Sequence, residues 1–344
     1  MPGTEWEVLS TLRTWQAQGH PAALATVVRT YGSSPRPAGS LVAIRANGAV
    51  IGSVSGGCIE QDLIERVRTA LPALPQRLVY GGAPEENRRW SMPCGGQMEV
   101  VLEPAPSAAI LDQLLSALQA RQPISRRLDL TSGASSLFTP GTASPFRSGA
   151  ASQFTAGATT RLVCDAQQLI TPHGPQLRLL IIGAVHTARY LADMAAALDY
   201  TVLVCDPREE YRATWNVPGS ELLSGMPDDA ITAAQPDAYT AIVALTHDPK
   251  LDDMALMEAL RSPAFYIGAL GSQRNNARRR ERLALLDLTA DEIARLHGPV
   301  GVPIGSHTPP EIAVAILADL IAVRNGIELI AVRQAAHPQQ YATA

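Results

Sequence analysis

The chain has 344 residues, 46% of them hydrophobic and 17% charged, with a formal net charge of −4 at pH 7. That length suffices for two ordinary domains, the composition excludes a disordered chain, and the charge leaves no footprint for nucleic acid. Four cysteines make no disulfide scaffold, no apolar run reaches the roughly 18 residues of a membrane helix, and the first residues lack the basic and apolar parts of a secretory signal, so a cytoplasmic protein is expected.

In chain order, Thr4 to Gln18 places Trp6, Val8, Leu9, Leu12 and Trp15 at helical spacing. Ala23 to Arg29 reads as a buried strand, and Ser40–Arg45 and Ala49–Ile51 as a hairpin around Asn47-Gly48. Gly52-Ser-Val-Ser-Gly-Gly-Cys-Ile-Glu60 then leads into a helix over Ile59–Val67. Arg77–Tyr80 and Met98–Leu102 read as strands and Ala108–Ala120 as a helix. Arg126–Leu130 and Arg161–Cys164 are expected strands on either side of a Ser/Thr/Gly-rich loop near 131–160. These elements make a mixed α/β domain over residues 1–172, and Pro172-His-Gly-Pro175 reads as the domain boundary.

From residue 176 to 344 the pattern changes. Apolar runs at Gln176–Ile182, Tyr200–Asp206, Ala238–Leu245 and Phe265–Gly268 alternate with helical segments at Leu251–Leu260, Asn275–Leu286 and Ala290–Leu296, and Pro310–Arg324 closes the series. Such alternation predicts a Rossmann-like, doubly wound parallel sheet. Gly183 after the first strand and Asp206 about 20 residues on follow the layout of a dinucleotide site, where the acid takes the ribose hydroxyls. Val185 stands where that layout has its second glycine; a β-branched side chain there is expected to crowd a phosphate and to resist a positive φ.

Two groups of residues are candidates for chemistry. Cys58, behind Gly56 and Gly57 at a helix start, and Cys94, ahead of Gly95, Gly96 and Gln97, offer thiols among backbone amides, and a helix N-terminus favours anions and thiolates. The ends of the parallel strands gather Gly183, His186, Asp206 with Arg208, Thr246, His247 and Asp248, and Gly271 with Ser272. His297, His307 and Arg274 lie in or beside loops that would close over the same crevice. The basic run Arg274–Arg282 reads as a solvated helix face, and Cys164 and Cys205 as core residues of apolar strands. No zinc-ligand spacing, general acid/base pair or nucleophile triad is present, so neither a metal site nor a catalytic residue is assigned.

Gly32-Ser-Ser-Pro-Arg-Pro37, the Gly52–Glu60 stretch, Pro93-Cys-Gly-Gly96, the turn Gly183-Ala-Val-His186, Thr246-His-Asp248, Gly268-Ala-Leu-Gly-Ser272 and His297-Gly-Pro through Pro310-Glu-Ile312 occur in an order that resembles the XdhC/CoxI (CoxF) family along almost the whole chain. The departure is Val185, where the family has Gly-x-Gly-His. The resemblance implies a non-enzymatic maturation chaperone that transiently binds the molybdenum cofactor, molybdopterin or its cytosine dinucleotide form. It further implies support for cofactor sulfuration with a cysteine desulfurase and insertion into an apo molybdenum hydroxylase of the xanthine dehydrogenase, aldehyde oxidoreductase or CO dehydrogenase type. Ser33 and Arg36 join the cofactor-binding candidates through the first of these motifs, the cofactor is expected between the Cys58/Cys94 loops and the strand-end crevice, and a homodimer is expected. Two rivals stand beside this reading: an NAD(P)-dependent oxidoreductase using the second domain, and a scaffold that docks the hydroxylase without touching cofactor.

Overall fold

The computed structural model describes residues 4–31, 36–81, 97–140 and 162–327, apart from the side chain of Cys58. The chain divides into two compact units that part between Pro175 and Gln176.

The first unit is built on antiparallel sheets. Strands β1 (Ala22–Tyr31), β2 (Leu41–Arg45), β3 (Val50–Gly52), β4 (Gln76–Gly81) and β5 (Gln97–Pro104) form a sheet in the order β3-β2-β1-β5-β4. Helix α1 (Thr4–Ala17) and helix α3 (Ala108–Gln119) cover one face, and α2 (Cys58–Thr69) covers the other. The period-two rule is visible in β1: Ala22 and Leu24 join the α1 and α3 core, while Ala23, Ala25 and Val27 face α2. Both faces are buried, which is why β1 reads as one apolar run and not as an alternation.

A second sheet, in the order β7-β6-β9-β8, combines β6 (Ile124–Asp129), β7 (Ser135–Phe138), β8 (Val163–Cys164) and β9 (Gln168–His173). Strand β9 runs through Pro172 and His173, which the sequence reading placed at the domain boundary. Pro172 stands opposite Ser125 of β6, beyond the end of the two-residue β8, so on that side no ladder partner needs its missing N–H. His173 is buried, with Nδ1 on Glu5 and Nε2 2.8 Å from the Thr171 hydroxyl.

The second unit is a six-stranded parallel sheet in the order β12-β11-β10-β13-β14-β15. Its strands are β10 (Arg178–Ile182), β11 (Thr201–Cys205), β12 (Ser220–Leu223), β13 (Thr240–Ala244), β14 (Tyr266–Ala269) and β15 (Leu296–His297). Helix α4 (His186–Ala197) and helix α10 (Pro309–Arg324) pack on one face; α6 (Pro227–Ala234), α7 (Pro249–Arg261) and α8 (Gln273–Ala284) pack on the other, with single turns at α5 (Glu209–Arg212) and α9 (Ala290–Ala294). Strands buried on both faces must be apolar throughout, which made this sheet readable. β12 escaped the reading because it is a four-residue edge strand carrying Ser220 and Glu221. The helix expected through Leu296 stops at Ala294 because Arg295 turns to the carbonyls of Leu260, Ser262 and Ala264, freeing Leu296–His297 to pair with β14. The strand order reverses direction at β10 and β13, and ligands of such sheets bind at the carboxyl ends on either side of that point.

Candidate functional site

The crevice starts at the end of β10. Gly183 has φ +110, and a Cβ there would lie 2.9 Å from the Thr246 amide nitrogen and 3.0 Å from the Leu245 carbonyl carbon. Its glycine character thus serves the contact with the end of β13. Val185 is extended at φ −83 and ψ 173 and buried in the core, at 9% exposure. The expected conflict between its branched side chain and a positive φ does not arise, because the turn places no positive φ at this position. No side chain caps α4, so the first-turn amides of His186, Thr187 and Ala188 have no intrahelical acceptor. His186 itself is exposed, its ring 5.2 Å from that of Tyr190 one turn on.

Asp206, at the end of β11, is completely buried. One oxygen accepts from the Ala184 amide at 2.8 Å and Arg208 Nη2 at 2.7 Å, the other from Arg208 Nε at 2.8 Å and the Arg208 amide at 3.1 Å. Burial alone would push this carboxyl up, but the Arg208 guanidinium and the two amides outweigh it and hold it below its ordinary range. Both oxygens of Asp206, expected to accept ribose hydroxyls, are occupied in this structure by the chain itself. Arg208 stacks on Tyr211 at 3.9 Å and reaches the Thr246 carbonyl at 3.3 Å, tying the ends of β10, β11 and β13 together.

At the end of β13 Thr246 is buried, its hydroxyl donating to Asp252 Oδ1 at 2.6 Å and accepting from the Asp248 amide at 3.0 Å. Asp248 caps α7 by accepting from the Lys250 amide at 2.8 Å, and Ser272, after Gly271, caps α8 by accepting from the Asn275 amide at 3.2 Å. His247 stands between Thr246 and Asp248 in the left-handed region at φ +63, exposed. Of the predicted crevice residues, then, Thr246, Asp206, Asp248 and Ser272 shape the loops, while His186 and His247 present side chains to solvent.

Three residues of this region went unread. Arg279 lies inside the basic run taken as a solvated face, yet it is 5% exposed and paired with Asp252 at 3.0 Å, while Asn276 is fully buried. The signal was the helical spacing Asn276, Arg279, Leu283, which puts all three on the core face of α8. His297 does not close over the crevice: it pairs with Gly268 within the sheet, with Nδ1 3.1 Å from Asp319 and its ring tilted against that of Tyr266, centroids 4.4 Å apart. His307 and Arg274 are exposed.

In the first unit, the Gly52–Glu60 loop is organised by its last residue. Glu60 Oε1 accepts from the Ser53 hydroxyl and the amides of Val54, Ser55 and Gly56 at 2.7 to 3.0 Å; Oε2 accepts from the Gly57 amide at 2.9 Å and from the Ser55 hydroxyl. Burial pushes this carboxyl up, but the Ser55 and Ser53 donors and the amides hold it well below the usual carboxylate range. The amides of Gly56 and Gly57, expected to face a ligand, are thus turned to an internal anion. Cys58 is the first residue of α2. Ser33, Cys94, Gly95 and Gly96 lie outside the described residues; Gln97 opens β5 opposite Tyr31 and Gly81, and Arg36 is exposed. Among the described residues no three His, Cys, Asp or Glu side chains are grouped to hold a metal ion.

Cys205 is fully buried in β11, and burial pushes its thiol up to about 11. Alkylation of the folded protein at neutral pH, followed by peptide mapping, should leave Cys205 unmodified while denatured protein is labelled fully. Labelling of Cys205 in the native state at the rate of a free thiol would contradict the packing of β11.

Residues 179–320 match the XdhC Rossmann domain, and residues 15–81 match the XdhC and CoxI family. The chain is 26% identical to YqeB of Escherichia coli (strain K12) over 328 residues, which is 94% of this chain but 47% of that protein, so it spans about half the length of this relative. It is 27% identical over 319 residues to the molybdenum cofactor insertion chaperone PaoD of the same organism, covering 89% of this chain and 84% of PaoD. A crystal structure from Bacillus halodurans, described as a xanthine dehydrogenase, superposes with a TM-score of 0.68 at 24% identity over 96% of this chain and 98% of that one, a likeness of fold.

Proposed function

The chain belongs to the XdhC and CoxI family, and from that membership we propose that it is an accessory protein that receives the molybdenum cofactor and delivers it to an apo molybdenum hydroxylase. The observation that carries this reading is the alignment with PaoD, which covers most of both chains. The geometry of the second unit supports it. The uncapped amides at the start of α4 suit a phosphate, and His186 and His247 stand exposed at the ends of β10 and β13 to meet a ligand lying across the crevice. Since Asp206 is closed by Arg208, a nucleotide tail is held here through its phosphates and not through its ribose. The same closure counts against the NAD(P) oxidoreductase. In the first unit Cys58 and Cys94 are the proposed thiol contacts for the molybdenum or its sulfur, a soft donor suiting a soft partner. The sulfur comes from a cysteine desulfurase, and the protein works in the cytoplasm as a homodimer.

The test is gel filtration of the protein with the isolated cofactor, in its plain and cytosine dinucleotide forms, followed by molybdenum analysis of the protein peak. Molybdenum should co-elute with the parent, and His247→Ala should weaken the affinity about tenfold, or about 1.4 kcal/mol. A protein peak without molybdenum in either form sinks the carrier reading and favours the scaffold; tight binding of NAD(P) in a parallel run favours the oxidoreductase.

A further inference from the structure

We infer that Asp252 and Arg279 are the positioning pair of the strand-end crevice, holding two separate loops in register so that His247 and the Gly271–Ser272 turn address one ligand. This rests on the reading that the crevice receives a ligand. The pair joins α7 to α8 and reaches both strand-end loops; the two helices also share the bonds from Arg282 to Asp253, which reach neither loop. Asp252 Oδ1 takes both the amide and the hydroxyl of Thr246, at 3.1 and 2.6 Å, and so fixes the residue before His247. Asp252 Oδ2 accepts from Arg279 Nη2 at 3.0 Å. The other end of the guanidinium, Nη1, donates to the Leu270 carbonyl at 2.9 Å and to Asn276 Oδ1 at 2.6 Å. Asn276 in turn donates from Nδ2 to the carbonyls of Gly271 and Ser272, at 3.0 and 3.2 Å. Seven hydrogen bonds thus run from the backbone beside His247 to the backbone of the next strand's loop, through the buried side chains of Thr246, Asp252, Arg279 and Asn276.

Stability is a poor explanation for such a construction. Burying an aspartate and an arginine costs much of what their attraction returns, and well-packed apolar residues commonly do as well. What the pair supplies is geometry, because a guanidinium offers several donors in a fixed plane and can serve both loops at once. His247 shows the consequence. Its neighbours on both sides are pinned, Thr246 by Asp252 and Asp248 by the Thr246 hydroxyl and its own cap, so the backbone between them is kept at φ +63, a conformation that an unconstrained histidine leaves. Strain of this kind persists where the surroundings over-determine it, and here it holds an imidazole out at the switch point of the sheet.

Hydrogen–deuterium exchange of the full chain, with cofactor affinity measured in parallel, tests the pair. Arg279→Lys keeps a positive charge for Asp252 but removes the planar reach to Leu270 and Asn276. Exchange should rise at least tenfold in the peptides covering both 246–248 and 270–272, and affinity for the molybdenum cofactor should fall at least tenfold. Thr246→Val leaves the ion pair in place and cuts only the bonds of the hydroxyl, to Asp252 and with the Asp248 backbone, so 246–248 should loosen and 270–272 should not. Loosening of one loop alone in Arg279→Lys, or of both or neither in Thr246→Val, overturns the inference whatever the cofactor does, as does unchanged affinity in a protein whose loops have both loosened. If Arg279→Lys does not fold, Thr246→Val decides alone. A parent that binds no cofactor overturns the carrier reading instead, and the exchange measurements still decide whether the pair holds the loops.

Discussion

Replacing Gly183 by alanine is expected to lower the stability of the second unit by about 2 to 5 kcal/mol, the sum of a left-handed backbone cost of ~1–2 kcal/mol and an overpacking cost of ~1–3 kcal/mol. For a unit of this size that is a fall in Tm of roughly 4–20 °C. The cost has two sources that cannot both be relaxed. At φ +110 the backbone lies where side-chain-bearing residues are rare, and the new Cβ would lie 2.9 Å from the Thr246 amide nitrogen and 3.0 Å from the Thr246 Cα. Those are backbone atoms of β13, which is paired with β10 in register from Arg178 to Ile182 and cannot retreat alone. Circular dichroism melts of parent and Gly183→Ala check it. A variant as stable as the parent would mean that the end of β10 does not approach β13 as described, and would return Gly183 to the role of making room for a phosphate.

That distinction shows what the sequence carried and what it did not. The Rossmann-like sheet was legible because a strand buried on both faces has to be apolar, and β10, β11, β13 and β14 are. The crevice was legible as a place, since it follows from topology, yet the work of its residues was not. Gly183 and Asp206 match a dinucleotide fingerprint in spacing, while in space the glycine answers to Leu245–Thr246 and the acid to Arg208. One spacing is compatible with both uses, and only the partner atoms tell them apart. Arg279 was hidden for a related reason: in a run of arginines, charge suggested solvent, and the one member facing inward shows itself only when read at helical period with Asn276 and Leu283. In the first unit, the glycines before Cys58 pointed correctly to a nest of amides, and the anion that fills it stood two residues beyond the cysteine, in the same stretch.

Glu60→Gln therefore carries the second large effect, about 2–3 kcal/mol of stability lost at neutral pH. Hydrogen bonds to an ionised acceptor contribute more than neutral ones, about 1.5–3 against 0.5–1.5 kcal/mol, and an amide in this seat would also turn an NH2 group toward donors. The pH dependence gives the sharper check. The folded carboxyl is held well below its ordinary range by the Ser53 and Ser55 hydroxyls and the loop amides, against a burial effect of opposite sign. A depressed folded pKa means that the stabilisation is fully present above the unfolded value of about 4.3 and is lost as pH falls below it toward the folded value. The stability gap between parent and Glu60→Gln should be constant from pH 7 to about 5 and then narrow, by up to about 1 kcal/mol per pH unit once solvent screening is allowed for. Urea titrations at pH 7, 5, 4 and 3 measure it. A gap that stays constant down to pH 3 would show that Glu60 acts through its shape and not its charge. A narrowing gap, together with weaker molybdenum retention by Glu60→Gln at pH 7, would place the glutamate as the internal anion that sets the Ser53–Gly57 loop, with the cofactor's contact made beyond the amides it occupies.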